Sequence, residues 1–306
     1  MKKILIAGYG SIGQRHFKNF FDMGCDVALV SRRKLDVEAN LYSSVSEAVT
    51  SYSPDIVFIC NETYLHAEVL QQLDERQYSG LIIIEKPIFD LNFTQYEKFK
   101  HLNIKVSYNL RFTSFLQYLK KELSHQKIIS SQAYVGQYLP TWRKNTDYRT
   151  SYSADASKGG GVLLDLSHEL DFCCWLFGKA KGLFSLNGQW SDLEINSIDT
   201  CALIIKHENC PVVDLQLNYT DRRVQRYLTV TTTEATYKID FIAKKAYKNE
   251  HEISLDQDAA DSYLQMSYDI IHNSGASLTS YDEAVHIMKM MSAAMLSSQK
   301  LQWVNI

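Results

Sequence analysis

The sequence predicts an α/β fold in two parts: a parallel sheet flanked by helices over residues 1–111, then a second α/β domain over 112–306 whose larger sheet is mainly antiparallel. Three features predict it. The chain opens on an apolar run that breaks into glycines and then turns amphipathic. Short, wholly apolar runs recur between helical patterns through the first third. The second half is dominated by short segments rich in β-branched and aromatic residues, separated by turn-forming ones. Wholly apolar runs mark strands buried on both faces, as in a helix-covered parallel sheet.

Ile4 to Ala7 reads as the first buried strand, and Gly8, Gly10 and Gly13 follow it in the spacing G-x-G-x-x-G. Each glycine lacks a side chain for its own reason: a tight turn, close approach of backbone to a pyrophosphate, and close packing of helix on strand. Ser11 and Ile12 complete the turn, and a helix from Ser11 to Met23 would aim its unpaired N–H groups at the phosphates. A dinucleotide cofactor is therefore expected around Gly8, Gly10, Ser11, Ile12 and Gly13. The second strand, Asp26 to Val30, ends at Ser31, Arg32 and Arg33, where such a fold meets the adenosine ribose. A carboxylate there would bond the ribose hydroxyl of NAD, whereas a serine and two arginines offer donors to the 2′-phosphate of NADP. NADP is the expected cofactor, with NAD second.

Ser46 to Thr50 reads as a short helix, and Ile56 to Cys60 as a third buried strand entered at Pro54-Asp55. Asn61 and Thr63 are placed to cap the helix that follows, and His66 lies in its first turn, where it is either simply exposed or, with Asn61, among the expected cofactor contacts. Leu81 to Ile84 is a central strand ending in Glu85-Lys86-Pro87, at the carboxyl edge where doubly wound sheets bind ligands. A partly desolvated Lys86 can hydrogen-bond a substrate oxygen and stabilise the negative charge that develops as hydride moves. The plain alternative is an exposed lysine paired with Glu85. A helix over 93–101 and a strand from Ile104 to Ser107 complete the domain. The boundary falls near Arg111, where a helical stretch running to His125 begins.

Composition excludes other classes of function. Net charge is −3, and the 32 Lys and Arg residues are dispersed without a basic stripe, so nucleic acid is not an expected partner. No run is long and apolar enough for a membrane span, and the chain enters a core strand without an apolar leader, so a cytoplasmic location is expected. The cysteines Cys25, Cys60, Cys173, Cys174, Cys201 and Cys210 lie mostly in apolar segments without metal-ligand spacing, so they read as reduced core residues, and no metal is expected.

The order Gly8-x-Gly10-x-x-Gly13, Glu85-Lys86-Pro87, Tyr108-Asn109-x-Arg111-Phe112 and Gly159-Gly160-Gly161-Val162-Leu163-Leu164-Asp165-Leu166-Ser167-His168 resembles the Gfo/Idh/MocA family of NAD(P)-dependent oxidoreductases. That resemblance spans nearly the whole chain. It implies a nucleotide-binding domain followed by an α/β domain whose open sheet face serves oligomerisation, here a homodimer or homotetramer. It also implies Lys86, Asp165 and His168 as the catalytic group, with Glu85 at the cofactor and Asn109 and Arg111 at the substrate. In better-known members the aspartate and histidine are four residues apart, whereas Asp165 and His168 are three apart. Either spacing puts both side chains on one face of a helix, leaving Asp165 to orient the histidine, contact substrate, or serve as a helix N-terminal charge.

In the second half, Ile128 to Tyr138 alternates as a strand, and 139–152 is a long irregular stretch of aromatic and polar groups. Trp142, Tyr148 and Tyr152 suit sugar faces, and Arg143 and Arg149 suit phosphate or carboxylate. This loop, with 166–171, resembles a branch of the family associated with bacterial surface-polysaccharide sugars. A helix is expected over 162–177. There His168 lies among leucines and is either a core histidine or, as the resemblance implies, an acid/base whose charge changes near working pH. Five strands follow (182–190, 200–207, 212–220, 227–233 and 235–242). Helices are expected over 259–273 and 281–301, the second opened by the capping box Ser280-x-x-Glu283. Met288, Met290, Met291 and Met295 form a packing stripe. The expected activity is hydride transfer between NADP(H) and a hydroxyl or carbonyl carbon of a sugar or sugar derivative, nucleotide-linked or free. The rival is a cofactor-binding regulator or scaffold without turnover.

Overall fold

The computed structural model describes every residue except Arg32, Lys34, Asn145 and residues 256–260. It divides into two compact units, Met1–Phe112 with Ala260–Val285, and Thr113–Ala259 with His286–Ile306.

The first unit begins β1 (Lys3–Ala7), α1 (Ser11–Asp22), β2 (Asp26–Val30), β3 (Asn40–Tyr42), α2 (Val45–Tyr52), β4 (Ile56–Ile59), α3 (His66–Glu75), β5 (Leu81–Glu85) and β6 (Ile104–Ser107). These strands pair in parallel. β4 and β5 are buried along their whole length, because their apolar runs face helices on both sides. Ile4, Ile6, Phe58 and Ile83 pack with Phe20 of α1 into one core. Only Tyr96–Phe99 of the helix expected over 93–101 forms, as a 3-10 turn. Phe93 stacks on Phe89 at 3.9 Å, so aromatic packing holds this segment where a regular helix does not.

The second unit contains α4 (Ser114–Leu123), β7 (Ile128–Gly136), α5 (Val162–Asp165), α6 (His168–Phe177), β8 (Ala180–Gly188), β9 (Thr200–His207), β10 (Val213–Asn218), β11 (Gln225–Thr232), β12 (Thr236–Asp240), β13 (Lys245–Lys248) and β14 (His251–Ile253). The pairing is antiparallel except between β7 and β10, which run parallel. Along β9 the burial alternates: Cys201, Leu203 and Ile205 face the core, while Ile204 and Lys206 face outward. The helix expected over 162–177 is broken. Leu166 (φ −101°, ψ 32°) ends α5, and a new ladder starts when Asp171 N–H donates to the Ser167 carbonyl. Val162, Leu163, Leu164 and Leu166 are all buried, an apolar spread too wide for one helical stripe.

The chain ends with α7 (Ser262–Asn273), β15 (Thr279–Ser280), α8 (Tyr281–Lys300) and β16 (Val304–Asn305). α7 returns to the first unit, where Met266 and Ile270 join the core around Phe20 and Asn109 Nδ2 donates to Ser262 Oγ at 2.7 Å. β15 adds antiparallel to β6, so the described strands of the first sheet run β15-β6-β5-β4-β1-β2-β3. Those of the second run β14-β13-β12-β11-β7-β10-β9-β8-β16. α8 opens on the capping box: Ser280 N–H donates to Glu283 Oε2 at 2.8 Å, and Glu283 N–H to Ser280 Oγ at 3.3 Å. Met288, Met290 and Met291 are buried, but Met295 is exposed and leaves the stripe.

Candidate active site

In the first unit the glycine turn lies at the carboxyl ends of β1 and β4. Gly8 has φ +105°, and a Cβ there would sit 2.7 Å from the Asn61 backbone nitrogen. A Cβ on Gly13 would run into the Gly8 carbonyl oxygen, so both positions require glycine. A Cβ on Gly10 would meet nothing within 4 Å, and Gly10 begins α1 without a side-chain cap. The turn is closed below and open above, which leaves the first N–H groups of α1, including those of Ser11 and Ile12, to an anion. Nearby, the buried Asn61 Oδ1 has no hydrogen-bond partner among the described residues. These features fit a dinucleotide.

Several neighbours differ from expectation. The 3-10 turn Thr63–Leu65 and α3 both start without a side-chain cap, so Asn61 and Thr63 do not play that part. His66 is buried, not exposed: Nδ1 lies 3.1 Å from the Ile88 carbonyl and Nε2 3.2 Å from that of Asn61. Burial pushes its pKa below the ordinary histidine value, against both carbonyls. After β2, the Arg33 N–H donates to Ser31 Oγ at 3.0 Å, and the Arg33 side chain is exposed. Arg32 lies outside the described residues.

Lys86 stands at the end of β5, partly buried, and its peptide bond to Pro87 is cis. Glu85 is buried: Oε1 accepts from Ser107 Oγ at 2.7 Å and pairs with His16 Nε2 at 2.8 Å, while Oε2 accepts from the Lys86 N–H at 3.3 Å. Burial alone would raise its pKa. The hydrogen bonds from His16 and Ser107 and the charges of His16 and Lys86 outweigh that and hold it below the usual carboxylate range. His16 lies on the buried stripe of α1 with Gly13 and Phe20, where the sequence shows a polar residue at an apolar position. Asn109 and Arg111 also lie buried in this unit, and both guanidinium NH groups of Arg111 reach Glu283 Oε1 at 3.2 Å.

In the second unit Asp165 closes α5 and His168 opens α6, both nearly buried, so the two do not share one continuous helical face. Tyr219, just beyond β10, donates its hydroxyl to Asp165 Oδ2 at 2.6 Å, and the Tyr152 hydroxyl bonds the same carboxylate. The Asp165 charge first, and burial second, push the Tyr152 phenol up; burial leads for Tyr219, followed by the same charge. Tyr219 continues the inward period of Leu215 and Leu217, a signal present in the sequence. Trp142 packs edge-on to Tyr219 at 5.1 Å between centroids, and the Arg143 guanidinium lies 5.6 Å over the Tyr152 ring. Arg143, Trp142, Tyr148 and Ser153 line a surface depression. Arg149 is turned elsewhere: it pairs with Asp147 at 2.8 Å and Glu194 at 3.2 Å. Next to His168, Glu169 is fully buried and bound by Arg226.

The family described as "Oxidoreductase family, NAD-binding Rossmann fold" matches residues 2–110, and "GFO/IDH/MocA C-terminal domain" matches 127–238. No curated protein sequence matches the chain. Among solved structures, it is similar to a levoglucosan dehydrogenase in complex with NADH and L-sorbose, at 15% identity and a TM-score of 0.84, covering 100% of this chain and 99% of that one. It is also similar to the WlbA dehydrogenase from Bordetella pertussis in complex with NADH and UDP-GlcNAcA, at 14% identity and a TM-score of 0.81, covering 100% and 97%. A third is GenD2 from gentamicin A biosynthesis in complex with NAD, at 15% and 0.81, covering 100% and 96%. At these identities the likeness shows the shared fold.

Proposed function

Because the chain belongs to the Gfo/Idh/MocA family of oxidoreductases, we propose that it moves a hydride between a nicotinamide dinucleotide and a hydroxyl- or carbonyl-bearing carbon of a sugar or sugar derivative. The observation that carries this reading is Lys86 at the carboxyl end of β5, in the same sheet as the open glycine turn at the end of β1. The bound cofactor supplies hydride acceptance and donation.

The chain's own residues supply the rest. The Lys86 ammonium hydrogen-bonds the substrate oxygen and stabilises its developing charge. In the oxidation direction the hydroxyl O–H bond breaks, its proton passes to the His168 imidazole, and the C–H electron pair leaves as hydride. Asp165, held by the Tyr219 and Tyr152 hydroxyls, lies three residues before His168 in the chain. Trp142 and Tyr148 offer sugar faces, and Arg143, rather than the ion-paired Arg149, meets an anionic group. Similar folds holding L-sorbose or UDP-GlcNAcA support a sugar-type substrate, free or nucleotide-linked.

Ser31 and Arg33, with no carboxylate from Val30 to Lys34, support acceptance of the 2′-phosphate of NADP. The similar structures hold NAD or NADH. Outward Ile204 and Leu186 on adjacent strands support pairing of two or four copies through the open sheet face, read by light scattering. Six free cysteines support a reducing, cytoplasmic setting, and no helix among the described residues is long and apolar enough to cross a membrane.

The test is fluorescence titration with NADH and NADPH, then a screen of sugars, oxo-sugars and nucleotide sugars against the wild type, Lys86→Ala and His168→Ala. Turnover lost in both variants supports the reading. Dinucleotide binding without turnover makes the protein a regulator instead.

A further inference from the structure

The hydrogen bonds around Glu85 all lie within the first unit, and three elements supply them. His16 comes from α1, the helix that starts at the glycine turn; Ser107 comes from the end of β6; and Glu85 itself precedes Lys86. Both side-chain donors land on Oε1, which leaves Oε2 turned to the Lys86 backbone N–H. His16 is fully buried and stacked on Phe58 at 4.1 Å, so its ring cannot swing away without opening the core. Neither interaction is needed for the parallel sheet to form, since β5 already pairs with β4 and β6 along its length. A fully buried histidine–carboxylate pair is expensive unless its geometry is well satisfied.

We propose that His16 is a positioning residue of the reaction: together with Ser107 it clamps Glu85 as an oriented carboxylate beside Lys86, and so sets where the Lys86 ammonium stands. This rests on the role of Lys86 proposed above. Other groups that act on the clamp or feel it are Cys60 just after β4, His66 of α3 and Tyr263 of α7, each of which feels the Glu85 charge. Arg15, over the Tyr263 ring at 4.5 Å, and Asp261, ion-paired to Arg15 at 3.6 Å, lie one step further out.

Removing the His16 donor leaves burial less opposed, so the Glu85 carboxyl holds its proton to higher pH. His16→Phe keeps an aromatic ring against Phe58 but no donor, and His16→Gln restores an N–H. The experiment follows the carboxyl carbon of Glu85 by NMR in protein labelled at glutamate carboxyls, the signal being identified by its loss in Glu85→Gln. Wild type and His16→Gln should show no titration of Glu85 between pH 5 and 8, whereas His16→Phe should raise its midpoint by a unit or more, into or toward that window. With a substrate in hand, kcat should fall at least tenfold in His16→Phe with KM within twofold, and recover in His16→Gln. A Glu85 signal indifferent to His16→Phe overturns the clamp, and so does a kcat unchanged by it. If the wild type turns over no substrate, the hydride-transfer reading fails, while the NMR titration still upholds or overturns the clamp.

Discussion

Arg226 grips Glu169, the residue after His168, through Nε at 2.7 Å and Nη2 at 2.9 Å, one bond to each carboxylate oxygen. Glu169 is fully buried and Arg226, on β11, is partly exposed, so the sheet holds the start of α6 in a two-point grip. Breaking one side of such a pair strands a buried charge. Arg226→Ala is therefore expected to destabilise the protein by about 3–5 kcal/mol. Arg226→Lys should recover only part of this, because an ammonium cannot reproduce the planar fork. Urea unfolding of the three proteins checks it.

Tyr219 should matter through its hydroxyl rather than its ring. The bond to Asp165 is short and buried, and Tyr219→Phe removes it while keeping the edge-on contact with Trp142. A hydrogen bond to a charged group is worth about 1.5–3 kcal/mol, and that is the expected loss in unfolding free energy. Tyr152→Phe should cost less stability, its ring being more exposed. Equal losses would mean that the two hydroxyls share Asp165 evenly.

His207 gives the fold an acid-side weakness. It is buried in β9 with Nδ1 2.8 Å from the Gly178 carbonyl, and desolvation lowers its pKa to about 4. Between that value and the ordinary 6.5 the unfolded chain binds more protons than the folded one, so stability rises with pH across this window. Its contribution is complete above about pH 6.5 and falls as pH drops, by about 2 kcal/mol at pH 5 and about 3 in all. His286, also desolvated, shifts in the same direction. Chemical denaturation at pH 7.5 and pH 5 reads the slope, and His207→Gln should flatten it.

The glycine turn is tested without any substrate. Gly13→Ala forces a methyl group into the Gly8 carbonyl, and that oxygen belongs to backbone rather than a movable side chain. Dinucleotide affinity is expected to fall at least tenfold, about 1.4 kcal/mol. Gly10→Ala meets open space and should leave the fold intact, so any loss of binding there reports a collision with the ligand.

What could be read from the sequence follows from how local each signal was. The strands Asp26–Val30, Ile104–Ser107 and Thr200–His207 stand where their apolar or alternating runs put them, since burial on two faces or one writes itself into adjacent residues. The break between Asp165 and His168 was not legible, because every residue from Val162 to Leu166 is compatible with a helix and the interruption comes from packing around it. The return of α7 to the first unit was equally hidden: it depends on Met266 and Ile270 meeting Phe20, a contact between positions about 250 residues apart in sequence. For the site, Gly8, Gly13 and Lys86 were visible as motif and strand-end residues. The partners of Glu85 were not, since nothing near His16 in sequence announces a carboxylate 69 residues away.

The central claim is a nicotinamide-dependent reaction that uses Lys86, and one comparison addresses it most directly. NADH and NADPH are titrated into wild type and Lys86→Ala by fluorescence, and both proteins are then assayed on the best sugar substrate found with wild type. The account predicts dinucleotide binding in both, within about threefold, and a kcat at least a hundredfold lower in Lys86→Ala, about 2.7 kcal/mol of transition-state stabilisation. Equal kcat values in the two proteins, or no dinucleotide binding by wild type, would contradict it.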